Sequence, residues 1–180
     1  FNNHVHTIPI RIPREDYAYW YNSSVAEKCR GYIEQQHIES TYTPIYHPAF
    51  FNIEYSAEKG GVLTASALHQ FFRGKAVTAM SVLDVNSNLS YFAQIFSRMG
   101  AAHIVSAEPR NELFDLAKLL NQLHYTDNIE MRNDNIEQLD VQDSYDVIIM
   151  ANDLWPVFYT EDAENQSLQK IDSLSSKYFI

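Results

Sequence analysis

The chain has 180 residues, a net charge of −10 and 46% hydrophobic residues, which fits one well-packed globular domain with an extension. This acidity disfavours a nucleic-acid partner, because phosphates are held by basic side chains that neutralise them. The single cysteine, Cys29, excludes an internal disulfide framework and predicts a reducing, cytoplasmic location. No stretch approaches the ~20 apolar residues that cross a bilayer, so we expect no membrane segment.

Residues 1–60 differ from the rest of the chain, because aromatic residues and prolines crowd there without a clear period. One helix is predicted over residues 24–37, with Cys29 and Ile33 near one face. We expect an N-terminal extension packed on the main domain by its aromatic residues, and the alternative is a lid over a substrate pocket. Because the chain starts at Phe1 and not at methionine, it is expected to be a piece of a longer protein.

Residues 61–180 alternate apolar strands with amphipathic helices and are expected to form the main domain. Apolar spacing predicts a first helix that ends at Gly74, a common helix stop. Residues 77–85 then predict the first buried strand. A second helical face ends at Gly100, and residues 102–107 predict the second strand.

The later elements continue this alternation. Pro109 suits the first turn of a helix, and strands are predicted at 129–132, 145–151 and 177–180, with a helix around 168–174. The apolar run in the fourth strand does not alternate, which is typical of parallel strands covered on both faces. The pattern predicts an α/β fold with a doubly wound parallel sheet and right-handed crossovers, incomplete at the fifth strand.

The turn after the first predicted strand decides which nucleotide-like ligand the sheet can hold. A phosphate-binding P-loop needs serine or threonine after its glycine and lysine, but Ala76 follows Lys75. A dinucleotide fingerprint needs G-x-G-x-x-G, and residues 86–91 contain no glycine. Both motifs are excluded, so a ligand that presents no phosphate to the turn is favoured.

Residues 81–92 instead resemble the first motif of the class I S-adenosylmethionine-dependent methyltransferases. One form of that motif reads V-L-D-I-G-C-N-x-G-Y-F-S, and the chain reads V-L-D-V-N-S-N-L-S-Y-F-A from residue 82 onward. Asp84 and Asn88 match in register, whereas Asn86 and Ser90 stand at the two glycines. The resemblance implies a Rossmann-like methyltransferase fold with strand order 3-2-1-4-5 and S-adenosylmethionine as the cofactor.

The two replaced glycines leave two functional hypotheses open. Asparagine tolerates positive φ best after glycine, so Asn86 is expected to keep the backbone path while its side chain adds volume to the pocket. Ser90 is expected to help cap the next helix. One hypothesis is a methyltransferase domain that acts on a small-molecule, sugar or protein acceptor. The other is a catalytically inactive methyltransferase-like module with an interaction or structural role.

The resemblance also implies a set of cofactor-binding residues. The set comprises Asp84, Asn86, Ser87, Asn88, Glu108, Asp134 and Asn135. Asp84 would accept hydrogen bonds from loop amides or lie near the methionine amino group, and the alternative is that it caps the following turn. Glu108 would accept two hydrogen bonds from the ribose diol. Asp134 and Asn135 would bind the adenine amino group, and the alternative is a plain loop.

The loop after the fourth strand weakly resembles the N-P-P-Y/F/W motif of amino-group methyltransferases. Asn152 and Trp155 are in place, and both prolines are replaced. The resemblance implies that these two residues contact the acceptor. Asp153 is the nearest candidate for a general base, and the alternative is an ordinary loop carboxylate. No metal site is predicted, because His4 and His6 have no third ligand nearby.

Overall fold

The strongest apolar runs of the chain form a five-stranded sheet in the computed structural model. The structure describes residues 24–35, 40–41, 54–55, 61–124, 126–140, 144–151, 161–174 and 176–180. The helices are α1 (Ser24–Gln35), α2 (Gly61–Phe72), α3 (Tyr91–Arg98), α4 (Asn111–His124) and α5 (Glu161–Ser173). The strands are β1 (Ser40–Thr41), β2 (Glu54–Tyr55), β3 (Ser81–Val85), β4 (His103–Ala107), β5 (Ile129–Arg132), β6 (Val147–Ile149) and β7 (Tyr178–Phe179).

The large sheet pairs its strands in the order β5-β4-β3-β6-β7, and each pairing is parallel. This is the order 3-2-1-4-5 counted from β3, so the prediction of a doubly wound α/β sheet is confirmed. Val85 pairs with Ala107, which pairs with Arg132, so the carboxyl ends of three neighbouring strands form one edge. Open parallel sheets bind ligands outside this edge, where the strand order reverses. The reversal occurs here at β3.

Both faces of the sheet are covered, which explains the continuous apolar runs in its strands. Val82 and Ile104 lie on the face where α2 and α3 pack. Leu83 and Ile148 lie on the opposite face, which packs against α5 and the 3-10 turn Ile136–Gln138. Full burial of one such side chain stabilises the fold by about 1.5–3 kcal/mol. None of the described helices is both long and apolar enough to span a membrane.

Helix α1 packs against α4 through a narrow apolar stripe. Its buried residues are Ala26, Cys29 and Ile33. They share one cluster with α4 and with Leu89, which belongs to the loop after β3. Burial raises the pKa of the Cys29 thiol to about 12, so this residue is a packed thiol and not a reactive one. The predicted packing through the aromatic residues of 1–60 falls mostly outside the described part of the chain.

The first predicted strand, at residues 77–85, is wrong in its first half. Val77–Ala79 forms a 3-10 turn, because the Met80 N–H donates to the carbonyl of Val77 at 2.9 Å and turns the chain. The strand itself begins at Ser81, whose N–H donates to the Asp146 carboxylate at 2.9 Å. This contact fixes the start of β3 beside β6.

The helix predicted over residues 24–37 is present at Ser24–Gln35, and residues 36 and 37 lie outside the described residues. One other helix limit differs from the prediction. Pro109 lies before α4 and not in its first turn, because the first helical bond runs from the Phe114 N–H to the carbonyl of Arg110 at 2.9 Å. The proline instead stiffens the short link between β4 and the helix.

Candidate functional site

The candidate site is built around the loop at residues 86–90, which connects β3 to α3. The Ser87 N–H donates to a backbone carbonyl at the end of β4 at 2.9 Å. The Asn88 N–H donates to the Glu108 carboxylate at 2.7 Å, and the Ser90 N–H donates back to the carbonyl of Ser87 at 2.9 Å. These bonds hold the loop on one path over the carboxyl end of β4.

Every second residue of this loop takes the left-handed conformation, with φ of 50° at Asn86, 56° at Asn88 and 58° at Ser90. L residues rarely adopt positive φ, and asparagine tolerates it best after glycine. Asn86 therefore does follow the backbone path expected of it in place of glycine. Serine has no comparable tolerance, so the conformation of Ser90 must be held by its surroundings.

Asp84 is fully buried beneath the start of α3. Its Oδ2 accepts a hydrogen bond from the Ala93 N–H at 3.0 Å, in the first turn of α3, where backbone donors lack helical acceptors. Burial raises the pKa of Asp84 to about 8; the Ala93 bond lowers this pKa, and the charge of Glu108 raises it. The capping alternative for Asp84 is therefore present in the structure.

A polar row crosses the sheet below the loop. Asp84, Ser106 and Met131 are in register on β3, β4 and β5. The hydroxyl oxygens of Ser90 and Ser106 lie 2.5 Å apart, and the Ser90 hydroxyl also lies 3.2 Å from the Met131 sulfur. Ser90 occupies the position before α3, but its side chain does not bond the helix amides. The prediction that Ser90 helps to cap this helix is therefore wrong, and its hydroxyl bonds the sheet instead.

Glu108 follows β4, and its carboxylate is fully buried. One carboxylate oxygen accepts the Asn88 N–H at 2.7 Å, and the other accepts the backbone N–H of Arg110 at 3.0 Å. The guanidinium of Arg110 also contacts both oxygens, at 2.6 and 3.2 Å. A diol can therefore reach these oxygens only when the guanidinium, whose side chain is 42% exposed, gives way.

The loop after β5 lies next to Glu108. The Asn133 side-chain amide donates to the backbone carbonyl of Glu108 at 2.9 Å, which joins the two loops. Asn135 forms a capping box with Gln138: its side chain accepts the Gln138 N–H at 3.2 Å, and its N–H donates to the Gln138 side chain at 3.0 Å. The side-chain oxygen of Asn135 thus serves the turn, and Asp134 lies half-buried beside it.

The structure brings the predicted cofactor-binding residues to one edge of the sheet. Asp84 and the loop at 86–90 belong to β3 and its exit, and Glu108 and Asp134 follow the neighbouring strands β4 and β5. The predicted acceptor residues follow β6 in the sequence. These residues, Asn152, Asp153 and Trp155, lie outside the described residues.

Two buried polar atoms at this edge have no hydrogen-bond partner within the described ranges: Asp84 Oδ1 and Ser87 Oγ. Buried polar groups are normally paired, so unpartnered ones at a ligand-binding edge are candidates for contact with a ligand. An acceptor oxygen on β3 and a hydroxyl in the mostly buried polar loop that follows it suit a small polar ligand. Within the same ranges, no three His, Cys, Asp or Glu side chains converge in a way that suits a metal ion.

Sequence inspection missed three residues of this edge. Ser106 is a serine inside an otherwise apolar strand, and that break in the pattern was a usable signal. Arg110 stands two residues after Glu108, which is close enough for a charge pair. Asn133 directly precedes the predicted pair at 134–135 and gave no signal of its own.

No family model matches the chain. The ribosomal protein L11 methyltransferase of Lactobacillus gasseri is 29% identical over 111 residues, and that of Lactobacillus johnsonii is 31% identical over 90 residues. The matches cover 58% and 50% of this chain, but 35% and 28% of the two relatives. The chain thus spans about a third of the length of these curated relatives.

Solved structures resemble the chain over a larger part. Magnesium protoporphyrin IX methyltransferase from Synechocystis PCC 6803 superposes with a TM-score of 0.59 at 14% identity, over 85% of this chain and 73% of that one. The chain has the class I methyltransferase fold. PH1948 from Pyrococcus horikoshii, which is named as an RNA methyltransferase, gives a TM-score of 0.53 at 14% identity, over 64% of this chain and 57% of that one. The predicted resemblance to class I methyltransferases is thereby confirmed at the level of the fold.

Proposed function

We propose that the chain binds S-adenosylmethionine at the carboxyl edge of β3, β4 and β5 and moves its methyl group to a small-molecule, sugar or protein acceptor. The observation that carries this proposal is the left-handed loop at 86–90, fastened to Glu108 through the Asn88 N–H. The name of a solved neighbour states bound S-adenosylmethionine, and the curated relatives are named for a ribosomal protein acceptor. The acidic net charge disfavours bulk nucleic acid as the acceptor.

The residues of the edge suit the parts of this cofactor. Glu108 would hold the ribose diol, Asp84 Oδ1 and Ser87 Oγ would face the methionine end, and Asp134 would bind the adenine amino group. When bound, the cofactor supplies an activated methyl group on a sulfonium centre. The protein then has to align an acceptor lone pair with that methyl group and exclude water from it.

The acceptor side of the proposal rests on the sequence. Asn152 and Trp155 would position the acceptor, and Asp153 would take its proton where the acceptor is a hydroxyl. Residues 1–60 would form an extension or lid next to the domain at 61–180. The single cysteine favours the cytoplasm as the location.

A calorimetric titration of the full natural chain with S-adenosylmethionine and its demethylated product tests the proposal. Glu108→Gln keeps an acceptor for the Asn88 N–H but loses the charge that binds a diol, so affinity should fall roughly tenfold or more. Glu130→Gln is the matched control, because Glu130 makes the same 2.6 Å contact to an arginine at the surface. Its affinity should equal that of the parent.

A second variant tests the loop. Asn86→Gly should bind at least as tightly as the parent, because glycine keeps the positive φ and makes room in the pocket. A clear loss of affinity would mean that the Asn86 side chain contacts the ligand. No binding up to millimolar concentration by the folded parent would reject the enzyme and leave the non-catalytic module.

A further inference from the structure

The loop after β3 has the left-handed backbone conformation that glycine adopts most easily, although it contains no glycine. One of its residues is poorly suited to that conformation. Ser90 has φ of 58°, whereas the other two left-handed positions carry asparagine. Positive φ costs an L residue free energy unless its surroundings hold it there. The Ser90 side chain is fully buried and ends 2.5 Å from the Ser106 hydroxyl.

We propose that Ser90 and Ser106 form a lock that holds the loop at 86–90 in its ligand-binding path, and that both are positioning residues for the cofactor. This inference rests on the proposed function, because the ligand named there is what the loop would position. Glycine would adopt the same φ unaided. Serine takes its place here because β4 offers a buried hydroxyl in the polar row between Asp84 and Met131.

The lock acts on the ligand-facing groups through backbone bonds. The Ser90 N–H donates to the carbonyl of Ser87 at 2.9 Å. Asn88, which follows Ser87, donates its N–H to the Glu108 carboxylate at 2.7 Å. The carbonyl of Ser90 accepts the Gln94 N–H at 2.9 Å, which begins α3. A shift at Ser90 would therefore move the turn, the Glu108 contact and the helix start together.

Amide hydrogen exchange on the ligand-free protein tests the lock without the cofactor. Ser106→Ala should speed exchange of the Ser87 and Asn88 amides about fivefold, because the loop loses a buried hydrogen bond. The Met99 amide, bonded to the carbonyl of Ile95 at the far end of α3, should stay within about twofold. Adding Ser90→Gly to Ser106→Ala should restore the parent rates, since glycine needs no anchor.

The rescue separates positioning from simple packing. If Ser106 only fills space, Ser90→Gly cannot repair Ser106→Ala, and that result overturns the lock, as do unchanged loop amides in Ser106→Ala. Ser106→Cys keeps the volume while weakening the hydrogen bond, so it replaces Ser106→Ala if the alanine variant does not fold. Ser97→Ala is the control. It removes a hydroxyl from α3 at a position away from the loop, where that hydroxyl donates to the Asn128 side chain at 2.5 Å.

Calorimetry with S-adenosylmethionine supplies the second arm. Affinity should fall about fivefold in Ser106→Ala and return in the double variant, while Ser97→Ala should match the parent. A parent that fails to bind although the exchange pattern holds would reject the proposed function and keep the lock. A parent that binds, with affinity unaffected by Ser106→Ala, would overturn the positioning role.

Discussion

The chain contains two Glu-x-Arg pairs with the same contact and different surroundings. Glu108 and Arg110 follow β4, and Glu130 and Arg132 lie in β5. In each pair the arginine Nε lies 2.6 Å from a glutamate oxygen. The Glu108 side chain is 0% exposed and also accepts the Asn88 N–H, whereas the Glu130 side chain is 45% exposed.

The difference shows that distance alone does not tell what an ion pair does. A surface pair is screened by water and contributes about 0–1 kcal/mol. A buried carboxylate has lost its water, so its hydrogen-bond partners must replace that hydration. Removing the carboxylate leaves those partners without their acceptor. Glu108 therefore organises the loop, while Glu130 is an exchangeable surface charge.

The largest expected effect comes from deleting the two carboxylates in turn. Glu108→Ala should lower the free energy of unfolding by about 1–3 kcal/mol, because the Asn88 N–H loses its acceptor. Glu130→Ala should change it by at most about 0.5 kcal/mol. Urea unfolding at constant m-value measures both. Equal losses in the two variants would show that burial does not distinguish the pairs.

Asp84 sharpens the comparison, because it is as buried as Glu108 but no described cation pairs with it. Its pKa rises from 3.8 to about 8, so over this range the folded state keeps a proton that the unfolded state releases. Stability should therefore fall as pH rises, by roughly 1 kcal/mol between pH 6 and pH 7. Asp84→Asn should remove this part of the slope. Parallel curves for parent and variant in denaturant titrations across pH 5–9 would contradict it.

The arginines provide a smaller contrast in ligand binding. Arg110→Gln should tighten binding of S-adenosylmethionine about two- to fivefold, because the ligand no longer displaces the guanidinium from Glu108. Arg132→Gln should leave the affinity unchanged, and calorimetry measures both. Weaker binding by Arg110→Gln would mean that the guanidinium itself contacts the ligand.

The smallest expected effect is the salt dependence of the two pairs. Glu130→Gln should cost about 0.3 kcal/mol of stability at low ionic strength and nothing measurable in 1 M NaCl, because salt screens exposed charges. The loss in Glu108→Gln should persist in 1 M NaCl, since its carboxylate is buried. Thermal unfolding at the two salt concentrations compares them. A Glu108→Gln loss that disappears in salt would place that carboxylate in water.

The sheet could be predicted from sequence because most strands are short apolar runs and a helical pattern separates all of the predicted strands except the third and fourth. The residues at which the strands begin and end could be predicted less well. The apolar residues at 77–80 resemble a strand, but the turn at Val77–Ala79 depends on a local backbone bond, and the strand start depends on Asp146, which is distant in sequence. Such long-range partners leave no local pattern.

The site was predictable where backbone position decides it. Asp84, Glu108 and the loop between β3 and α3 follow from strand ends, which parallel strands bring to one edge. Side-chain partners were not predictable: Ser90 bonds across the sheet to Ser106 and not to its own helix, and Arg110 folds back on Glu108. Each of these contacts depends on the distance between two strands or on a rotamer choice, which sequence spacing does not encode.

The pairing of Ser81 with Asp146 has a consequence for how the molecule folds. These residues are 65 apart in sequence, so joining β6 to β3 closes a long loop, whereas β3, β4 and β5 are consecutive strands. Short-range contacts form faster than long-range ones, because less chain entropy is lost before they are made. We expect the edge with Glu108 and the loop at 86–90 to assemble early, with the β6 side arriving later as a separate kinetic step.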